Sequence, residues 1–191
     1  MHESEQLLIL KGGDNGPKKF DRLPHIDEPV RSLTYMQDGQ EYDAIVFTPR
    51  KNVKLTGFSV YPALVMGFPC TGELMEEYQC HWTCKVDGNV VKSECSTLTK
   101  DDAKKKIVDI VFDEEIPVKA GRPISISVRY TSLEEDAFMC QVLMGYGGED
   151  PGYGTIKSNE KGAFEIQNSD DCSKGETDVE FGNIPRILYF D

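Results

Sequence analysis

From Ile124 to Tyr130 the chain reads Ile-Ser-Ile-Ser-Val-Arg-Tyr, with apolar and polar residues alternating without a fault. A helix turns about 100° per residue and would scatter those apolar side chains, whereas an extended strand sets all of them on one side. The stretch predicts a strand that packs one face and leaves the other wet. The same period of two recurs over Ala44–Thr48, Lys54–Tyr61, Tyr78–Val86, Ile107–Phe112, Phe138–Met144, Ala163–Gln167 and Arg186–Phe190, and helical periodicity does not. Turn signals lie between these runs: Asp87-Gly88-Asn89, Ala120-Gly121-Arg122-Pro123 and Glu160-Lys161-Gly162. Asp87-Gly88 between Lys85-Val86 and Asn89-Val90-Val91 predicts a tight hairpin. Strands spaced by glycine and proline turns predict an all-β antiparallel sandwich.

At 191 residues the chain has room for one domain, able to bury roughly 70% of the surface its unfolded form exposes. The stretch Lys11-Gly12-Gly13-Asp14-Asn15-Gly16-Pro17 is dense in residues that break pairing. Residues 1–17 accordingly read as a tail or linker and 18–191 as the domain. The single helix candidate, Thr99 to Lys106 with Thr97 or Thr99 as N-cap, lacks an apolar stripe and reads as a charged loop.

Acidic residues outnumber basic ones by 33 to 21, for a formal charge of −12. That field repels phosphate backbones and anionic lipid heads, so neither nucleic acid nor a membrane surface is an expected partner. The apolar run Leu7-Leu8-Ile9-Leu10 is too short for a signal core and follows acidic residues, and no stretch reaches bilayer-spanning length. A cytoplasmic protein is expected.

A domain of this size does not need its six cysteines as disulfide staples, so reduced thiols are expected. Cys80-His81-x-x-Cys84 invites a zinc reading. Counted by twos, however, Tyr78, Cys80, Trp82 and Cys84 share one strand face while Gln79, His81, Thr83 and Lys85 share the other, so the imidazole points away from both thiols. The cysteines read as small buried hydrophobes, and neither a metal nor any other cofactor is expected.

Catalytic signals are thin. Of the three histidines, His2 lies in the tail, His25 among prolines and His81 on a strand's wet face, so no base is set beside a nucleophile. The acid pairs Glu114-Glu115, Glu134-Glu135-Asp136 and Asp170-Asp171 are chain neighbours and do not face one another across a substrate.

Gly145-Tyr146-Gly147-Gly148-Glu149-Asp150-Pro151-Gly152-Tyr153-Gly154 holds five glycines and two tyrosines in ten residues. It lacks the lysine of a phosphate-binding loop and opens no helix. Glycines allow close backbone approach, and tyrosines offer rigid contact area with a polar tip, a mixture suited to recognition. It suits equally a plain connection whose tyrosines cover one end of the sandwich.

Four motifs in order carry a family resemblance. Asp43-Ala44-Ile45-Val46-Phe47 leads to Gly57-Phe58-Ser59-Val60-Tyr61. Phe112-Asp113-Glu114-Glu115-Ile116-Pro117-Val118 follows with Gly121, then Gly145-Tyr146-Gly147-Gly148. The close runs Phe164-Glu165-Ile166, Lys174-Gly175-Glu176-Thr177 and Gly182-Asn183-Ile184-Pro185-Arg186-Ile187-Leu188-Tyr189. Over residues 18–191 this resembles the PHR domain, the module of the Pam/Highwire/RPM-1 ubiquitin ligases and of BTB-domain ligase adaptors. The long Pro62–Glu77 loop and the Lys100–Lys106 charge run depart from the pattern.

The resemblance implies a sandwich of roughly eleven strands that binds protein and catalyses nothing, as a target-recognition part of a ubiquitin-ligase pathway. Its expected contacts are Tyr61, Tyr146, Gly147, Gly148, Glu149, Asp150 and Tyr153 at one sandwich end, facing a basic or mixed protein surface. The rival readings are a structural component of a cytoskeletal or ciliary assembly and, third, a carbohydrate-binding module or hydrolase.

Overall fold

A computed structural model describes residues 16–23, 30–34, 42–66, 77–105, 107–132, 139–146, 162–172, 179 and 181–191. The first strands in chain order are β1 (Lys18–Asp21), β2 (Val30–Thr34), β3 (Asp43–Pro49), β4 (Val53–Val60) and β5 (Ala63–Met66). The hairpin β6 (Glu77–Val86) and β7 (Asn89–Thr99) runs into a one-turn helix, α1 (Lys100–Ala103). There follow β8 (Val108–Val118), β9 (Ile124–Ser132), β10 (Met139–Tyr146), β11 (Phe164–Asn168), β12 (Phe181–Gly182) and β13 (Arg186–Phe190). They form two antiparallel main sheets, ordered β1-β13-β4-β8 and β11-β3-β9-β6-β7, and a smaller one in which β10 pairs with β12, β2 and β5. The expected all-β sandwich is the fold.

Each run of alternation becomes a strand with one face inward. On β6, Tyr78, Cys80, Trp82 and Cys84 are buried while Gln79, His81, Thr83 and Lys85 stay half-exposed. Trp82 stacks on Phe112 of the opposite sheet at 5.1 Å, and Phe58 meets both rings edge-on at 5.6 and 6.1 Å. A second aromatic group centres on Phe164, with Phe20, Phe47 and Tyr189 around it at 5.0 to 6.3 Å. Buried rings of this size dominate the energetics of such a core.

The hairpin forms where its turn chemistry places it. Asp87 and Gly88 take φ of 52° and 77°, the pair of positive angles a type I′ turn requires, and Val86 pairs with Asn89. Four readings need correction. The strand expected over Ile107–Phe112 begins at Val108 and continues to Val118, through the acidic run Asp113–Glu115, where β8 bulges against β4. The charged loop after β7 contains α1, because Thr99 and Asp102 form a capping box that needs no apolar stripe. On β9 the second face is not wholly wet: Ser127 is buried, flanked by Ala44 and Thr83 on the neighbouring strands. Tyr61, expected to stand exposed, is fully buried.

Gly57 shows why one residue type is required at the β4–β8 bulge. A Cβ there would sit 2.2 Å from the Ile110 carbonyl oxygen and 3.1 Å from the Val111 Cα, both backbone atoms. Gly57→Ala is expected to destabilise the domain by about 2 kcal/mol or more, since overpacking against backbone cannot relax by a rotamer change. A lowered urea midpoint at constant slope is the signature; an unchanged midpoint would refute it.

Candidate functional site

Two sequence clusters, at Tyr61 and at Asn183, meet in space although they lie 122 residues apart in the chain. The Tyr61 amide donates to the Asn183 carbonyl at 2.9 Å, and Asn183 Nδ2 donates back to the Tyr61 carbonyl at 3.1 Å. The Tyr130 hydroxyl lies 2.9 Å from both the Tyr61 carbonyl and Asn183 Oδ1, placing its one proton between two acceptors. On the other side Arg22 enters from the end of β1. Its amide donates to the Pro185 carbonyl at 2.9 Å, its Nε to the Ile184 carbonyl at 2.6 Å and its Nη1 to the Val179 carbonyl at 3.3 Å. Arg22, Tyr61, Tyr130, Asn183 and Ile184 are all 0 to 1% exposed, so these bonds, apart from the part-buried one to Val179, form a buried polar knot.

The knot explains the burial of Tyr61. Its ring packs with Leu23, and Ile107 covers both, so the tyrosine is a wall of the sandwich end and presents nothing to solvent. Tyr146 closes β10, where its backbone pairs with Phe181 while Gly145 pairs with Gly182. The strand that carries Tyr146 is thus fastened beside the segment leading into the knot. Gly147, Gly148, Glu149, Asp150 and Tyr153 lie outside the described residues.

Immediately beyond the knot, Arg186 joins a row of polar side chains across the outer face of the first sheet. Register places Asp21, Arg186, Ser59 and Asp109 side by side on β1, β13, β4 and β8. Arg186 makes a two-pronged ion pair to Asp21, and the Ser59 hydroxyl donates to Asp109 Oδ1 at 2.6 Å. Lys19 reaches Asp109 Oδ2 at 3.0 Å. Beside this row opens a cleft of 460 Å³, lined by Lys19, Asp102, Lys105, Ile107, Val108, Asp109 and Arg186. Ile107 lines the cleft and also packs against the Leu23–Tyr61 pair. Sequence reasoning missed the cleft because its residues come from three separate segments; the one local signal was Thr99 three residues before Asp102.

Partial burial pushes the Asp109 pKa up, but the Ser59 hydroxyl and the Lys19 ammonium, with Arg186 nearby, outweigh it and hold it below the usual value. Asp102 is held low by Lys105 and by the Thr99 amide and hydroxyl. Both groups stay ionised at neutral pH.

On the outer face of the second sheet, His81 Nε2 lies 2.8 Å from Thr131 Oγ1, and burial with the Arg129 charge lowers its pKa. Cys80 and Cys84 lie on the inner face, and burial pushes the Cys84 thiol up to about 12, the behaviour of an inert core residue. Cys84, Cys95 and Cys172 carry free thiols. Among the described residues no three His, Cys, Asp or Glu side chains are grouped to hold a metal ion, and no helix is long and apolar enough to cross a membrane.

Residues 31–190 match the family model described as the PHR domain. No curated protein matches the chain.

Two predictions follow from the geometry. Tyr130→Phe removes the buried hydroxyl that bonds the Tyr61 carbonyl and Asn183 Oδ1, and should cost about 1–3 kcal/mol in chemical denaturation. A loss under half of the lower figure would show that the hydroxyl is dispensable. Because the folded pKa of Asp109 lies below its unfolded value near about 3.9, its stabilisation is full above that pH and is lost as pH falls through the folded value. Asp109→Asn should therefore lower stability at pH 7 and flatten its fall below about pH 4; parallel curves for the two proteins would contradict this.

Proposed function

The chain belongs to the PHR domain family, and on that ground we propose that it is a non-catalytic protein-interaction module that recognises its partner through the loops at one end of the sandwich. The observation that carries the reading is the family match over nearly the whole chain, joined to a fold whose buried polar knot braces that end. Support also comes from the residues available for chemistry. His81 sits on a sheet face bonded to a threonine, and the acids of the charged cleft are tied to lysines, so the described residues assemble no nucleophile, base and oxyanion donors.

The partner contacts assigned are Tyr146, Gly147, Gly148, Glu149, Asp150 and Tyr153. Tyrosines give large contact area at small entropic cost, and flanking glycines let a partner's backbone approach. Tyr61 leaves this set because it is buried. The excess of acid over base steers a basic or mixed surface toward the domain. The resemblance supports a place in a ubiquitin-ligase pathway, as the part that recognises a target in the cytoplasm.

Tagged chain recovered from its native cells, with its bound proteins identified by mass spectrometry, is expected to bring down a discrete partner together with ligase subunits. Replacing Tyr146 and Tyr153 together by alanine should reduce capture at least about tenfold, as loss of two aromatic anchors does, with an unchanged thermal midpoint. Undiminished capture by that variant would remove the tyrosines from the interface. A stoichiometric set of cytoskeletal scaffold proteins without ligase subunits would replace the ligase reading with a structural one.

A further inference from the structure

β9 reaches the knot at Tyr130 and begins at the other end of the sandwich, just after Pro123. There the β6–β7 turn is latched to the β8–β9 turn. The Asp87 amide donates to the Pro123 carbonyl at 3.0 Å, and Arg122 Nη1 donates to Asp87 Oδ2 at 2.7 Å. Among the described residues Asp87 is the one residue other than glycine with a positive φ, 52°, and Gly88 follows at 77°. A side chain on Gly88 would meet nothing within 4 Å. The Arg122 and Asp87 side chains are 59% and 31% exposed, so the latch stands in solvent.

An aspartate followed by glycine carries an electrophile and a nucleophile side by side. When the Gly88 nitrogen attacks Asp87 Cγ, a C–N bond forms and a Cγ–O bond breaks. The amide proton and the carboxyl hydroxyl leave together as water, and a cyclic imide remains. Water then adds to the Asp87 main-chain carbonyl carbon and breaks its bond to the Gly88 nitrogen. The freed carbonyl becomes a carboxyl group on Cα, and the chain continues through Cγ as isoaspartate. Water is the only other reactant. A side chain on the attacking residue would crowd the nitrogen, and glycine carries none.

We propose that Asp87-Gly88 is a site of isoaspartate formation in the folded chain, gated by the Arg122 latch. The guanidinium holds the Asp87 carboxylate toward the β8–β9 turn, and the ring closes only after that carboxyl swings back over the Gly88 nitrogen. An exposed ion pair of this kind favours its closed form by only about 1.4- to 5-fold, so the open form is always populated. The inference is independent of how the domain grips a partner.

Isoaspartate lengthens the main chain of the turn by a methylene group, and a two-residue turn has no slack to absorb it. Turn length sets the pairing of Val86 with Asn89 at the head of the β6–β7 ladder. β7 is paired on one side only, so no second neighbour holds it in register once the turn is altered. The reaction therefore acts as a slow clock on one edge of the domain, loosening the hairpin tip while the knot at the other end stays closed.

The test is to age the full chain for weeks in neutral buffer at physiological temperature and to map its peptides by electron-transfer fragmentation, which separates isoaspartate from aspartate of equal mass. Isoaspartate at position 87 should accumulate in the folded chain. Arg122→Ala should raise its rate about 1.4- to 5-fold, and Arg122→Lys should stay near the unaltered rate. The peptide holding Asp38-Gly39 is the internal reference and should age alike in all three proteins. In the aged fraction, amide exchange protection should fall at Val86 and Asn89. Isoaspartate at position 87 that forms in urea and not in the folded chain would show that the turn forbids the ring, and would overturn the site. Equal rates in Arg122→Ala and the unaltered chain, or a rise at Asp38 as large as that at Asp87, would overturn the latch.

Discussion

The chain around Gly182-Asn183-Ile184-Pro185 passes through the interior as an irregular turn, and an irregular turn in the interior must find partners for its polar groups. Asn183 gives and takes with the Tyr61 backbone, Tyr130 places a hydroxyl between them, and Arg22 accepts the job of donor for the carbonyls of Ile184 and Pro185. The strands that meet here, β1, β4, β9 and β13, come from both main sheets. A hydrophobic core alone would hold the two sheets face to face without fixing how one end closes. Directional bonds in a dry site do fix it, because each misplaced group would leave another unsatisfied. Closing that end also sets the charged row on the outer face. Arg186 follows Pro185 directly, and β4 carries Ser59 two residues before Tyr61.

Legibility in the sequence followed burial. Strands that pack one face announced themselves: β6 could be read residue by residue, and on β9 the buried positions are the ones alternation indicates with the addition of Ser127. Edge and short strands did not. Most of β7 is solvent-exposed and paired on one side only, and its buried residue Leu98 stands too far from Val90 and Val91 to mark an apolar period. β1 has a single buried residue in its span, and β12 is two residues long. What decides those strands is pairing with a partner distant in sequence, which a local pattern does not contain.

The site was legible only in part, for a related reason. The importance of Tyr61 and of the Gly-x-Ile-Pro turn could be seen, yet the role assigned to Tyr61 was the opposite of its actual one. A tyrosine at a strand end is read as exposed unless something covers it, and the cover is Leu23 and Ile107, which come from distant segments. Tyr130 was counted as the last apolar position of an alternating strand; its hydroxyl in the knot could not be inferred without knowing what lay opposite. The N-cap at Thr97 or Thr99 was legible, and the helix was set aside because its segment lacks an apolar stripe. Within the fold it is secured by β7 before it, and Asp102 is thereby aimed into a cleft.

Charge on this molecule divides into two kinds with different consequences. Most ion pairs, such as Lys54 with Glu115 or Lys104 with Asp101, join exposed side chains and weigh little on stability. Their collective effect is repulsion between copies of an acidic protein, and it falls usefully on an open edge. Asp109, Asp113, Glu114 and Glu115 on β8 carry negative charge and a bulge along the border of the first sheet, both of which discourage pairing with another strand of like charge. Asp102 and Asp109 are of the other kind, anchored by neutral hydroxyl and amide donors that do not cancel their charge. Neutral donors orient each carboxylate whichever way Lys19 and Lys105 turn, so these two acids keep their places in the fold while the lysines paired with them remain largely solvated.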